Sequence, residues 1–243
     1  MRVNNLQNNR SILERSIVKE YIEKKNKKSK ILVSNFWFIV ISNINNQVKK
    51  YYINKNYFDI EVNNYNYLKW QIVIPKIKII WEEKINNNVL YLIELENIRK
   101  YRSRFIRIKD VDYKELWFLL SNLHSLNFKN WVTYLHWNLH QSNFFVDKEW
   151  KLWIFDFVSM FYGRIEYDFA IIYLNSMYDD MYLSRVLKYY KYSKIFDYKI
   201  MYKIVLQKII ENIKLKMPVK DEWIDWLKRA LIKIQFKILK DDW

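Results

Sequence analysis

An asparagine and an aspartate, Asn143 and Asp156, have the residue types and spacing best suited to chemistry in this chain. Two short apolar segments, residues 144–146 and 152–157, lie between and beside them and predict a β-hairpin with its turn at residues 147–151. A hairpin returns the chain to the end where it began, so we expect both side chains at that end. One carboxylate and one amide oxygen are ligands that Mg²⁺ accepts when nucleotide phosphates supply others. Kinase-type phosphoryl transfer uses such a pair.

The residues around this pair resemble the aminoglycoside phosphotransferase/choline kinase-like family, which has a protein-kinase-like fold. That family carries a His-Gly-Asp-x-His-x-x-Asn loop, then a strand ending in Ile-Asp, then a Tyr-Asp pair that opens a helix. The matching segments here are Leu123-His124-Ser125, His136-Trp137-Asn138-Leu139-His140-Gln141-Ser142-Asn143, Ile154-Phe155-Asp156 and Tyr167-Asp168-Phe169-Ala170. Each fragment alone is weak, but the order and spacing of the whole set make a strong signal.

The resemblance implies an α+β fold of the bilobal protein-kinase-like type. A small antiparallel-sheet N-lobe would cover residues 1–95, and a mainly helical C-lobe would cover residues 96–243. The implied activity is ATP-dependent phosphorylation of a hydroxyl on a small molecule, and aminoglycoside-, choline- and sugar-like acceptors all fit. ATP and Mg²⁺ are the implied cofactors. Asn143 and Asp156 would be the metal ligands, and Asp156 would also be catalytic.

Two residues of the loop depart from the family pattern. Asn138 stands where the family has its catalytic Asp, and Trp137 stands where it has Gly. A neutral amide cannot take a proton, although its oxygen accepts hydrogen bonds. General-base help is typically worth about 10²–10⁴-fold in rate. The alternatives are therefore a phosphotransferase impaired at Asn138, in which His140 is a second candidate base, and a pseudokinase that binds nucleotide without transferring phosphate.

Glu61 resembles the glutamate of the family's N-lobe helix, which pairs with a strand lysine to hold the α- and β-phosphates. Lys55 is the predicted partner, because it ends the predicted strand and is close to Glu61 in sequence. Lys49 and Lys50 remain alternatives, since they leave a more usual gap to the helix. Lys55 and Glu61 are therefore candidate cofactor-binding residues.

Apolar periodicity predicts the elements that must position these side chains. Helices are expected at residues 11–25, 59–69, 111–126, 167–176, 182–192, 198–216 and 222–240. Strands are expected at residues 31–44, 47–53, 72–80 and 89–95, with Trp37 between two apolar strands. The segment that starts at Glu94 would be the hinge between the lobes, and Glu94 and Glu96 are further candidate cofactor contacts.

Composition excludes several classes of protein. The chain has 243 residues, of which 51% are hydrophobic, and it has no Cys, so disulfides, thiolate metal sites and Cys nucleophiles are excluded. No apolar run approaches the roughly 20 residues that span a bilayer. The polar N-terminus lacks a signal-peptide core, so we expect a cytoplasmic protein. The net charge of +16 leaves a basic nucleic-acid-binding module as a third alternative. AT-rich codons explain the lysine excess better, so no nucleic-acid partner is expected.

Glycine is scarce and tryptophan abundant. The chain has one Gly and 11 Trp, whereas an average of about 7% Gly would give roughly 17. Several tryptophans stand where a turn, a helix end or the family loop favours glycine. We therefore hypothesise that some of these codons are UGA, which the source organism reads as glycine. The candidates are Trp37, Trp70, Trp81, Trp137, Trp150 and Trp153.

Overall fold

The computed structural model describes residues 15–27, 29–33, 37–42, 47–72, 74–85, 88–96, 111–139, 143–147, 149–214 and 221–240. These residues form two compact units. The first contains the described residues up to Trp70 and those from Ile74 to Glu96, and the second contains Gln71, Ile72 and those from Val111 onward. Residues 97–110 lie outside the described chain, so the lobe boundary between residues 95 and 96 stays a prediction.

The first unit is built on a five-stranded antiparallel sheet in the order β1-β2-β3-β5-β4. The strands are β1 (Lys30–Val33), β2 (Trp37–Ser42), β3 (Gln47–Tyr52), β4 (Ile77–Ile85) and β5 (Asn88–Glu96). Helix α1 covers residues 15–25 and helix α2 covers Lys55–Leu68. Successive strand residues face opposite sides of the sheet. Tyr51 therefore packs in the core with Val18 and Ile22 of α1, while Lys50 faces α2.

Local chemistry moves several boundaries away from the predicted ones. Asn54 caps α2 by accepting a hydrogen bond from the backbone N–H of Asn56 at 2.8 Å, so the helix starts at Lys55 rather than residue 59. Pro75 has no N–H to donate to a ladder, and β4 begins after it, at Ile77. Trp81 lies in the middle of β4, opposite Leu92. The strand predicted to end at residue 80 therefore continues to Ile85.

Among its described residues, the second unit contains five α-helices and two antiparallel two-stranded ribbons. The helices are α3 (Tyr113–Ser125), α4 (Glu166–Asn175), α5 (Asp180–Tyr189), α6 (Tyr198–Lys214) and α7 (Asp221–Lys240). The ribbons pair β6 (Val132–Leu135) with β9 (Phe161–Arg164), and β7 (Phe144–Val146) with β8 (Leu152–Ile154). The sequence predicted the second ribbon and missed the first, whose strands have four residues each. Among the described helices, none combines the length and apolar character needed to cross a bilayer.

Candidate active site

The predicted hairpin exists, and it brings the two candidate metal ligands to one end. Phe144 of β7 pairs with Ile154 of β8, and the backbone N–H of Phe155 donates to the carbonyl of Asn143 at 3.3 Å. Asp156 follows directly. Both Asn143 and Asp156 are buried, at 4% and 9% exposure. Asp156 has φ 69° and ψ 67°, in the left-handed region, which Asp tolerates better than most residues.

Asn143 is tied to the loop that carries Asn138. Its amide nitrogen donates to the carbonyl of Asn138 at 2.8 Å, so only its amide oxygen is suited to a cation. The described residues hold no group of three or more His, Cys, Asp or Glu side chains that could bind a metal by themselves. One carboxylate and one amide oxygen nevertheless fit Mg²⁺, which usually takes one or two protein oxygens and completes its octahedron with water and substrate phosphate.

Asp168, near the start of α4, holds the beginning of this loop. Its two carboxylate oxygens accept the backbone N–H groups of His136 at 2.9 Å and Trp137 at 2.7 Å. The ring of His136 bridges the loop and the hairpin: Nδ1 accepts from the N–H of Asn138 at 3.3 Å, and Nε2 donates to the carbonyl of Phe155 at 2.9 Å. These two partners assign the proton to Nε2. The segments that precede Asn138 and Asp156 are thus linked.

The first unit contains a buried ion pair, and the partner of Glu61 in it is Lys50 rather than the predicted Lys55. Lys50 on β3 lies 2.8 and 2.6 Å from the two oxygens of Glu61 on α2, and both side chains are at most 2% exposed. The hydroxyl of Tyr52 also donates to Glu61. Lys50 and Tyr52 share a face of β3 because strand side chains alternate. In protein kinases, a Lys on a strand and a Glu on a helix form an ion pair that must be in place for phosphoryl transfer.

The predicted pairing of Lys55 with Glu61 is wrong. Lys55 is the first residue of α2, and helix geometry gives it the residue four positions on as its neighbour. It contacts Asp59 at 2.8 and 2.9 Å, and this pair is exposed. The alternation of side chains along residues 47–53 was the signal that distinguishes Lys50 from Lys49, whose ammonium instead lies 5.5 Å from the Trp81 ring.

The other predicted residues are placed as follows. Glu94 lies within β5, opposite Lys49 of β3 and Ile79 of β4, and is buried. Strand β5 continues to Glu96, whose N–H donates to the carbonyl of Lys76 at 2.8 Å. A strand rather than a hinge therefore contains both glutamates, and their contact with a cofactor stays a prediction. The candidate base His140 lies outside the described residues.

An aromatic cluster lies next to Asn138. The indole of Trp137 has its centroid 4.8 Å from that of Phe161 and 4.7 Å from that of Tyr167. The ammonium of Lys208, on α6, lies 4.6 Å from the indole and 2.9 Å from Glu211. No sequence pattern pointed to Lys208, which is far from the loop along the chain.

The chain is similar in structure to several solved proteins, although comparison of its sequence with family models and curated proteins finds no match. No protein-family model and no curated protein matches the chain. The aminoglycoside phosphotransferase APH(2'')-Ib with bound ADP is 14% identical, with a TM-score of 0.53 over 89% of this chain and 96% of that one. Choline kinase LicA from Streptococcus pneumoniae is 14% identical, with a TM-score of 0.54 over 91% and 99%. The GDP complex of a mutant aminoglycoside 2'-phosphotransferase-IIIa is 11% identical, with a TM-score of 0.59 over 93% and 96%. These similarities confirm the predicted protein-kinase-like α+β fold.

Proposed function

Because the chain has the protein-kinase-like fold of aminoglycoside phosphotransferases and choline kinases, we propose that it is an ATP-dependent phosphotransferase acting on a hydroxyl of a small molecule. One observation carries this proposal. Asn143 and Asp156 are buried at one hairpin end, beside a loop that Asp168 and His136 hold by its backbone. The cytoplasm, where ATP is available, is the compartment that this activity implies.

Each unit carries groups of a kind that binds nucleotide: oxygen ligands for a metal in the second and a cation in the first. Asn143 and Asp156 would hold Mg²⁺, and the metal would neutralise charge on the phosphates. Lys50 would contact nucleotide phosphate, while Glu61 fixes the position of its ammonium. Phosphoryl transfer depends mainly on positioning and electrostatic stabilisation, and these groups supply both.

Asn138 would orient the acceptor rather than deprotonate it. Its amide oxygen can accept a hydrogen bond from an acceptor hydroxyl, but it cannot take the proton. The proposed acceptors are aminoglycoside-, choline- or sugar-like alcohols, which would approach Asn138 from the helices of the second unit. The same neutral residue favours one alternative function, a pseudokinase that binds nucleotide and transfers nothing.

Acceptor-dependent ADP release tests the proposal. The full chain is incubated with Mg²⁺ and ATP against a panel of aminoglycosides, choline, ethanolamine and sugars, beside the Asp156→Asn and Asn138→Asp variants. A phosphotransferase releases ADP only with an acceptor and loses this activity in Asp156→Asn. A pseudokinase shows a higher melting temperature with ATP but no turnover in any variant. A chain that neither binds nor hydrolyses ATP would contradict both.

A further inference from the structure

A buried chain of hydrogen bonds starts at Tyr190 and reaches the loop of Asn138. The hydroxyl of Tyr190 lies 2.5 Å from Nδ1 of His124, and Nε2 of His124 lies 3.1 Å from Oδ2 of Asp168. Asp168 in turn accepts the two backbone N–H groups of the loop described above. Tyr190, His124 and Asp168 are at most 2% exposed, so water does not compete for these bonds.

We infer that Tyr190 is a positioning residue, which fixes the tautomer of His124 and, through Asp168, the geometry of the loop. An ionised Asp168 is acceptor-only, so Nε2 of His124 must carry the proton between them. In a neutral ring Nδ1 is then an acceptor, and the Tyr190 hydroxyl is its donor. Burial and the nearby charge of Asp168 raise the pKa of Tyr190, which keeps that hydroxyl protonated.

Nitrogen NMR of the full chain tests the tautomer directly, since the protein has three His. In the wild type we expect His124 to be neutral, with its proton on Nε2 and a hydrogen bond to Nδ1. In Tyr190→Phe the Nδ1 resonance moves to the position of a nitrogen without a donor. Tyr192→Phe is the matched control, because its hydroxyl contacts Ser125 at 3.1 Å. A proton on Nδ1 in the wild type, or an unmoved Nδ1 resonance in Tyr190→Phe, would overturn the inference.

The link to turnover rests on the proposed function and has its own readout. We expect Tyr190→Phe to lower kcat several-fold while KM for ATP stays unchanged, and Tyr192→Phe to change neither. Equal kcat in Tyr190→Phe and wild type would overturn the positioning role. If no variant turns over, the proposed function fails, and the NMR result still decides the tautomer.

A different observation concerns three tryptophans with left-handed backbones. Trp131, Trp137 and Trp150 have φ of 68°, 64° and 64°, where a bulky residue is an outlier and glycine is at ease. Trp131 and Trp150 are also 55% and 68% exposed, so their indoles bury little surface that would offset the strain.

The turn that contains Trp131 is of a type that favours glycine at position 131. Lys129 and Val132 exchange backbone hydrogen bonds of 3.0 and 3.1 Å around Asn130 and Trp131, and both central residues have positive φ. This is the type I′ geometry, for which Asn-Gly is strongly preferred. Asn130 already stands at the first position, so a glycine at 131 would complete the pair.

We infer that positions 131, 137 and 150 are glycine in the protein as its own cell makes it, encoded by UGA. The other candidates gain no such support. Trp81 and Trp153 have ordinary strand backbones, and the indole of Trp153 donates to Asp147 at 2.8 Å. Backbone conformation thus separates the glycine positions from tryptophans that the fold accommodates.

Codon sequencing and thermal unfolding test this inference. We expect UGA at codons 131, 137 and 150. Trp131→Gly and Trp150→Gly should each raise Tm by about 2–4 °C, because relief of left-handed strain is worth about 1 kcal/mol. Trp153→Gly, the control, should lower it. Trp137→Gly also removes the aromatic contacts of the indole, so its Tm does not report the relief of backbone strain alone. UGG at these codons, or a lower Tm in both Trp131→Gly and Trp150→Gly, would overturn the inference.

Discussion

The two compact units differ in how completely they carry the groups expected for phosphoryl transfer. In the first, Lys50 and Glu61 form a complete and fully buried ion pair. In the second, Asn143 and Asp156 share a hairpin end, but Asn138 is neutral where the resemblance implies a carboxylate. The groups suited to phosphate and metal are therefore present among the described residues, whereas Asn138, which stands at the position of the expected base, cannot take a proton. This difference teaches that nucleotide binding and proton transfer can be tested separately.

The largest effect is expected at Asn138, where the second unit has an amide instead of the expected carboxylate. Asn138→Asp restores a carboxylate, so it should raise kcat for acceptor-dependent ADP release by about 10²–10⁴-fold. Asn56→Asp is the control, since it adds the same charge at an exposed position of α2. An unchanged rate in Asn138→Asp would show that proton transfer does not limit this protein.

The ion pair of the first unit gives the next largest effect. Lys50→Met removes the cation that pairs with the buried carboxylate of Glu61, which should lower the free energy of unfolding by about 3–5 kcal/mol. Lys55→Met breaks an exposed pair and should cost under about 1 kcal/mol. Urea unfolding measures both. Equal losses in the two variants would contradict the assignment of the pair.

A double variant separates the stability of this pair from its function. Lys50→Met combined with Glu61→Leu removes both charges, and such apolar replacements are often neutral or stabilising. We expect it to recover most of the stability lost in Lys50→Met, without recovering the affinity for ATP. Calorimetric titration with ATP checks the second point, and recovered affinity would mean that Lys50 has no part in binding nucleotide.

The smallest effect concerns a half-exposed ion pair in the second unit, between Asp180 and Lys237. Burial alone would raise the pKa of Asp180, but hydrogen bonds from Lys237 and Tyr173 lower it below its usual value. The stabilisation is therefore present above about pH 4 and is lost as pH falls through the lowered pKa. Asp180→Asn should cost under about 1 kcal/mol at pH 6 and less at pH 3. A cost that does not change with pH would contradict the ion pair.

Sequence patterns predicted those elements of the fold that depend on the spacing of residues close together in the chain. The hairpin that joins Asn143 and Asp156 followed from two apolar runs and a turn, and the helices of the second unit followed from apolar periodicity. The lysine partner of Glu61 could not be predicted in this way. Lys55 belongs to α2 because Asn54 caps the helix, and the apolar pattern does not reveal that cap. Tyr190 could not be found either, since 66 residues separate it from His124 and no local pattern encodes that contact. The turn at residues 130 and 131 was missed because Trp131 stands where the Asn-Gly pair that predicts such a turn would have glycine.

Magnesium-dependent ATP binding tests the central claim most directly. Calorimetric titration compares the wild type with Asp156→Asn, each with Mg²⁺ and with a chelator. We predict that Mg²⁺ tightens ATP binding to the wild type at least about tenfold, or about 1.4 kcal/mol, and that Asp156→Asn loses this gain while binding metal-free ATP equally well. Equal Mg²⁺ gains in both proteins would contradict a metal site at Asn143 and Asp156.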